Sequence, residues 1–534
     1  MATAPEAGGW TDARSAAGKR NPWLIVGIIS IATFMEVLDT AIANVSLDHI
    51  AGSLSVSLDE ATWVLTSYLV ANAIVIPISG WLSDVIGRKR YYMISVALFA
   101  AASLACGFAP NIQLLVIARV LQGIGGGGLA PSEQSMLADT FPPAKRGQAF
   151  AAYAFVIIVA PVLGPTLGGW ITDNYSWHWI FLINVPIGFL SLFLVSTFVD
   201  EPKVLTDERK QRLKNGLRVD YIGFLLVAAG LGCLELTLDR GERENWFGSP
   251  FIVATTIIAV VAIGGLILWE TNRDEPIVDL KLLGNRNFAA IIVVMTITGV
   301  ILFGTTQLIP QMLQQVLGYT ATNAGLALTA GGIGTVIAVP IVGRLVGKVD
   351  VRLLLGGALM VQAAALWNLT TLNADISFWD AGTARLFQAV GLPFLFVPIT
   401  VAAYTGLKPK DTNHASALLN VFRNLGGTFG ISLSQALLTE RAQHHQAQLV
   451  ERLSPLGPNY ASGFGAIEQA LRNAGMSTAM AARAANGELY RIVVRQAAML
   501  AYIDVFHVLM TIVLLVSPVV LLLRSPKSAG AGAH

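Results

Sequence analysis

The chain has 534 residues, of which 54% are hydrophobic and only 13% charged, against about 25% charged in a soluble domain. With a mean hydropathy of +0.63 the deficit runs through the whole chain, which excludes a soluble globular protein and places it in the membrane class. The net charge of +2 says little, because what matters in a membrane protein is where the basic residues sit; no nucleic-acid partner is expected.

Residues 1–22 are Ala/Gly-rich and polar and end in Gly18-Lys19-Arg20 and the short stretch before an apolar run. A secretory signal has an apolar core of only ~7–15 residues. This longer run is therefore expected to be retained as the first membrane span after a short cytoplasmic tail. A span needs ~20 mostly apolar residues. Fourteen runs qualify, at 23–46, 61–82, 91–109, 112–138, 148–171, 178–199, 219–238, 250–270, 288–310, 323–345, 353–372, 381–405, 413–438 and 500–523. Cys106 and Cys233 each lie inside one of them and suggest neither a disulfide framework nor a metal cluster. No metal or cofactor is expected.

The basic residues orient the spans. With the N-terminus cytoplasmic, 24 of the 35 Lys and Arg fall on inside segments and only Arg240 and Arg243 on short outside loops. Six more lie in the 439–499 segment, and Arg119, Arg385 and Arg423 fall within spans. Both termini, including the tail 524–534, are thus predicted to be cytoplasmic and the 439–499 loop external. Within that loop, 465–498 is Ala-rich with scattered charge and is expected to form amphipathic helices, as a solvated cap or a docking surface.

Ala118-Arg119-Val120-Leu121-Gln122-Gly123-Ile124-Gly125 recurs as Ala384-Arg385-Leu386-Phe387-Gln388-Ala389-Val390-Gly391, an offset of 266. Pro143/Pro409 and Ala149/Ala415 keep the same offset. Two six-helix halves, 23–199 and 288–523, with a two-helix insert at 219–270, account for this repeat.

The stretch 80–90 reads GWLSDVIGRKR. Gly80 and Gly87 permit a tight turn. Asp84 facing Arg88, Lys89 and Arg90 is expected to form a conformational latch at the inner face. GIGGGG at 123–128 formally matches a dinucleotide loop, but it lies within an apolar helix, so it is read as a small-residue packing face. In span 5, Pro161 and Pro165 bend the helix, while Gly164, Gly168 and Gly169 offer a small-residue face.

Charge inside a span is costly and needs a reason. Span 1 carries Glu36 and Asp39, and span 4 carries Arg119. Asp39 and Arg119 are each about seven residues from the outer ends of their spans, roughly 10 Å deep, so they are expected to meet. A carboxylate paired in one conformation and desolvated in another changes its proton affinity, as proton coupling requires. Glu133 is read as a residue near the inner loop or substrate entrance, and Asp504 and His507 as an i, i+3 pair on span 14. The expected substrate cavity is lined by Glu36, Tyr68, Asn72, Tyr153, Phe303, Gln307, Phe394 and Asn420.

These residues resemble the fourteen-helix drug:proton antiporters of the major facilitator superfamily, close to the EmrB/QacA type. Leu38-Asp39-Thr40-Ala41-Ile42-Ala43-Asn44-Val45, the 80–90 loop, the Arg119 motif and the Gly164-Pro165 motif match that family's patterns in order. So do Pro142-Pro143-Ala144-Lys145-Arg146 and Phe181-Leu182-Ile183-Asn184-Val185-Pro186. Asp48 departs from the pattern where proline usually stands. Glu36 is also outside it and suggests cationic substrates. The resemblance implies an all-α integral membrane protein of the major facilitator fold, not an enzyme. It implies export of lipophilic or amphiphilic drugs against proton entry across a bacterial inner membrane. The partners it implies are small lipophilic substrates, protons, the lipid bilayer, a periplasmic adaptor of EmrA type and an outer-membrane channel. Export of one endogenous product, a siderophore or lipid-like metabolite, is the alternative. A membrane enzyme or sensor is a remote one.

Overall fold

The computed structural model describes residues 21–201, 206, 219–273, 276–405, 407, 411–453 and 458–523. The tails 1–20 and 524–534 and the basic positions 203, 209–218, 408 and 410 lie outside them. Helices make up the described spans. Spans 1 to 3 are Pro22–Val45, Trp63–Ile86 and Arg88–Gly107. Span 4 is split into Ile112–Gly126 and Leu129–Thr140. Span 5 is Pro143–Asn174, and span 6 is His178–Leu182 with Asn184–Phe198. Spans 7 and 8 are Tyr221–Arg240 and Pro250–Thr271. Spans 9 to 12 are Arg286–Gln315, Ala321–Leu345, Val351–Thr370 and Phe378–Ala403. Spans 13 and 14 are Thr412–Arg452 and Thr478–Val516.

Local chemistry sets the ends. Asn21 caps span 1 by accepting from Trp23 N, with Pro22 at the first helical position. Asn111 caps span 4, and Ser377 with Asp380 forms a capping box on span 12. Among the described residues, 13 helices are long and apolar enough to cross a bilayer. Span 13 is not one of them, because it carries Asn413, Asn420, Arg423 and Asn424. It is a span nonetheless, packed between spans 2, 9 and 14, and its polar residues face protein.

The packing repeats itself. Span 1 packs on 5, span 2 on 4, span 3 on 4 and span 6 on 3; eight spans later, 9 packs on 13, 10 on 12, 11 on 12 and 14 on 11. The halves meet through 5 on 10 and 2 on 13, a pair that the same relation exchanges. Spans 7 and 8 pack on each other, and span 7 leans on spans 2 and 13, one from each half.

The boundary at 438 moves. Span 13 continues unbroken to Arg452, and span 14 begins at Thr478, with the helix Pro458–Asn473 between them. The 439–499 segment is therefore mostly extended span, and its 465–498 part is helical as its composition suggests.

Contacts that join the halves cluster at the end of the bundle where spans 2 and 4 finish and span 13 starts, here termed the basic end. Gln134 and Asn420 exchange hydrogen bonds at 3.1 and 3.3 Å. Ser416 Oγ donates to Pro131 O at 2.6 Å, and Arg146 Nη1 to Tyr404 O at 3.4 Å. The Phe150 and Tyr404 rings stack with centroids 5.4 Å apart. The molecule is closed at this end. Toward the opposite end Glu36, Phe303, Gln307 and Phe394 are only part-buried.

Candidate functional site

Glu36 and Asp39 are three residues apart, so their side chains leave span 1 on neighbouring faces. Asp39 turns into its own half and is 2% exposed. One of its oxygens accepts from Arg119 Nη1 at 2.6 Å; the other accepts from Gln122 Nε2 at 2.9 Å and Asn184 Nδ2 at 2.6 Å. Arg119, 0% exposed, also donates to Val64 O at 2.9 Å and Gln122 Oε1 at 2.8 Å, and lies over the Tyr68 ring at 4.3 Å. Three side-chain donors thus converge on one buried carboxyl group. Gln122 and Asn184 were missed as site residues, although Gln122 lies in the repeated octet and Asn184 in the Phe181–Pro186 motif.

The second half copies this arrangement without its acid. Arg385 donates to Gln388 Oε1, and Gln388 Nε2 to Thr305 Oγ1 at 3.0 Å. The offset of 266 that carries Arg119 onto Arg385 carries Asp39 onto Thr305. The repeat therefore keeps the Arg and Gln of this cluster but has threonine where the first half has Asp39.

Glu36 turns toward the space between the halves and accepts from Tyr68 OH at 3.3 Å and Asn72 Nδ2 at 3.2 Å. Arg423 on span 13 lies within electrostatic reach of it. The Arg423 Nε and Nη2 atoms bond only Asn424 Oδ1, at 3.3 and 3.2 Å, and Nη1 has no hydrogen-bond partner. Phe303 packs on Gly427, where an added Cβ would be 2.4 Å from its ring. Tyr153 and Asn420, two of the expected lining residues, lie nearer the closed end. Both are fully buried, Tyr153 beside Thr33 and Phe396 and Asn420 against Gln134. In this conformation they belong to the closed end.

The glycines of span 5 set its distance from span 1. A Cβ on Gly164 would lie 2.3 Å from Ala41 Cβ, and one on Gly168 would lie 2.9 Å from Ile42 Cγ2. Both contacts fall within three residues of Asp39. Pro165 lies inside the same helix, and Gly169 faces open space.

In the 80–90 stretch Asp84 has Arg88 within electrostatic reach, and each also has a partner outside the stretch. Arg88, 4% exposed, pairs with Asp139 at the end of span 4. Asp84 reaches across to the other half, accepting from Asn413 Nδ2 at 2.5 Å, with His414 Nε2 at 3.4 Å. Gly87 has a φ of 98°, which a side chain would strain. A Cβ on Gly80 would lie 3.2 Å from Asn413 O. Arg90 is exposed.

Two further expectations are corrected. Glu133 is not at a loop: it is 0% exposed, and its Oε2 accepts from Thr33 Oγ1. Asp504 pairs with His445 Nε2 at 2.8 Å rather than with His507, whose Nδ1 meets Ile503 O. The continuation of span 13 past residue 438 puts His445 there.

Two six-helix halves related by a twofold repeat, a two-helix insert and a buried acid–base pair between spans 1 and 4 define a membrane transporter. The chain belongs to the major facilitator superfamily, whose signature matches residues 29–431, and within it to the EmrB-type export proteins. It is 38% identical to the "Multidrug export protein EmrB" of Escherichia coli K12 over 505 residues, 94% of this chain and 96% of that one. It is 40% identical to the Haemophilus influenzae EmrB, covering 82% and 84%. Identity to the "Fatty acid resistance protein FarB" of Neisseria gonorrhoeae is 35%, covering 96% and 98%. The proton:xylose symporter XylE shares the fold at a TM-score of 0.55 and 16% identity, covering 79% of this chain and 90% of its own. The human organic anion transporter MFSD10 does so at 0.54 and 11%, covering 93% and 100%.

Proposed function

We propose that the chain is a proton-driven exporter of lipophilic compounds in a bacterial inner membrane, with the basic end and both chain termini in the cytoplasm. The observation that carries this reading is the Asp39–Arg119–Gln122–Asn184 cluster. It is a carboxylate sealed from solvent in the half that packs most closely around span 1, and it has no acidic counterpart in the repeat. In this reading Asp39 is the principal proton carrier and Arg119 its counter-ion, and Glu36 couples the proton to the cavity. Gly80, Asp84, Gly87, Arg88 and Arg90 form the latch, with Asp84 clasping the start of span 13. Gly164, Pro165, Gly168 and Gly169 let span 5 slide on span 1. The cavity is built from Glu36, Tyr68, Asn72, Phe303, Gln307 and Phe394, with Tyr153 and Asn420 exposed to it once the basic end opens. A periplasmic adaptor and an outer-membrane channel complete the export route, with the helices of 439–499 at the periplasmic surface.

A second reading, export of amphiphilic acids, is favoured by two observations. Arg423 presents an unpartnered guanidinium nitrogen on the span that faces the cavity, and a 35% identical relative is named for fatty acid resistance.

The test is proton movement in lightly buffered proteoliposomes. Adding a lipophilic dye such as ethidium is expected to drive a proton flux opposite to the dye flux. Dye transport with no proton movement would overturn the proposal.

A further inference from the structure

Glu133 has no part in the pathway described so far. It lies on the basic-end half of span 4, between Pro131 and Gln134, two residues that bind span 13 in the closed end. Its own side chain points the other way, into the first half. The surroundings are Thr33 and Glu36 from span 1, Tyr92 from span 3 and Tyr153 from span 5. The nearest ion pair on these elements is Arg88–Asp139, and Arg88 also lies within electrostatic reach of Asp84. Among the described residues Glu133 makes no ion pair, and the hydroxyls beside its carboxyl are those of Thr33 and Tyr92. A carboxylate buried in a span without a cation is expensive as an anion and marks a functional position.

The geometry points to Glu133 as the proton-release site, sealed from the basic side by the closed gate. This rests on the reading of Asp39 as the entry carrier. Asp39, Glu36 and Thr33 descend span 1 at three-residue steps, each step ~4.5 Å along the axis. Glu36 interacts electrostatically with both Asp39 and Glu133. The hydroxyl of Tyr153 lies 3.4 Å from Thr33 Oγ1, which in turn donates to Glu133. Glu36 lies within electrostatic reach of Tyr153, so once a rotamer change brings its carboxyl to that hydroxyl, a proton leaving Glu36 passes along these two hydroxyls to Glu133. Glu36 is left as the carboxylate and Glu133 becomes the acid. While Gln134–Asn420 and Ser416–Pro131 hold the halves together, water is shut out. When they part, water reaches Glu133 and takes the proton to the cytoplasm.

The test is Glu133→Gln in the full chain, reconstituted in proteoliposomes with ethidium as substrate. The variant keeps an acceptor for Thr33 and removes the titrating proton. Gradient-driven dye transport is expected to fall by about tenfold or more, with dye binding and dye–dye exchange at equal pH kept within about twofold. Glu133→Asp should restore part of the driven transport. Thr33→Val, which keeps the shape and deletes the hydroxyl, should slow the driven phase and spare exchange, and it decides the matter if Glu133→Gln does not reach the membrane. Asp39→Asn is run in parallel. Loss of driven transport in Glu133→Gln but not in Asp39→Asn would remove Asp39 as the entry carrier and leave Glu133 standing. Undiminished driven transport in Glu133→Gln, or in Thr33→Val when it alone is recovered, would overturn the inference.

Discussion

Asp39→Asn is the most direct perturbation of the proposed coupling. In the structure Asp39 takes three donors, from Arg119, Gln122 and Asn184, at 2.6, 2.9 and 2.6 Å. Asparagine keeps the shape but turns one acceptor into a donor that faces donors, and it leaves Arg119 as an uncompensated charge that is 0% exposed. Breaking one side of a buried pair costs about 3–5 kcal/mol, so the variant is expected to lose thermal stability in detergent. Arg119→Gln added to it removes the stranded charge and should recover much of that loss. Neither variant can carry the proton. One pH unit is worth about 1.4 kcal/mol per proton, a factor of ten in accumulated substrate. In everted vesicles with an imposed gradient of about one unit, the intact protein should concentrate a lipophilic dye about tenfold per coupled proton. The Asn variant should stop at equilibrium while still binding the dye. Gradient-dependent accumulation by the Asn variant equal to that of the parent would refute the assignment. Equal stability of the single and double variants would refute the ion-pair argument.

Other positions give separate tests. Asp84→Asn and Arg88→Ala should each lower turnover without removing the protein from the membrane. Asp84→Asn, which loosens the clasp on Asn413 and His414, should also raise labelling of a cysteine placed at the basic end; unchanged turnover in both would leave only an anchoring role. Gly164→Ala drives a Cβ to 2.3 Å from Ala41 Cβ, an overpacking of about 1–3 kcal/mol, read as a lower melting temperature and slower transport. Glu36→Gln should weaken export of cationic dyes more than that of neutral ones, and Arg423→Gln should weaken export of lipophilic acids. Equal losses for all classes would assign these two residues to coupling or packing.

Part of this arrangement is legible in the amino-acid sequence. Arg119 and Asp39 were paired from their equal distances to the outer ends of their spans, because helix rise converts residue count directly into depth. The repeat was readable because Arg385 and Gln388 keep the interior contacts that Arg119 and Gln122 make in the first half. Span 13 was readable despite its polarity, since its charges are few and regularly flanked by apolar residues. The partners of Asp84 and Asp504 were not readable. Asn413, His414 and His445 lie 329, 330 and 59 residues away in the chain.

What the amino-acid sequence determined by itself is one-dimensional: which segments are long and apolar enough to cross a bilayer, at what depth each charge sits, and that the chain repeats. Depth and length follow from composition because each residue adds a constant rise along a helix. What only the tertiary structure decided is azimuth. Each residue turns the helix by about 100°, and a helix that is apolar all round has no preferred face. Packing against neighbours therefore settled that Asp39 turns into its own half while Glu36 faces the other, and that Glu133, one residue from the gate, is sealed on its far side. The same packing closed the halves at the basic end, which no local pattern encodes.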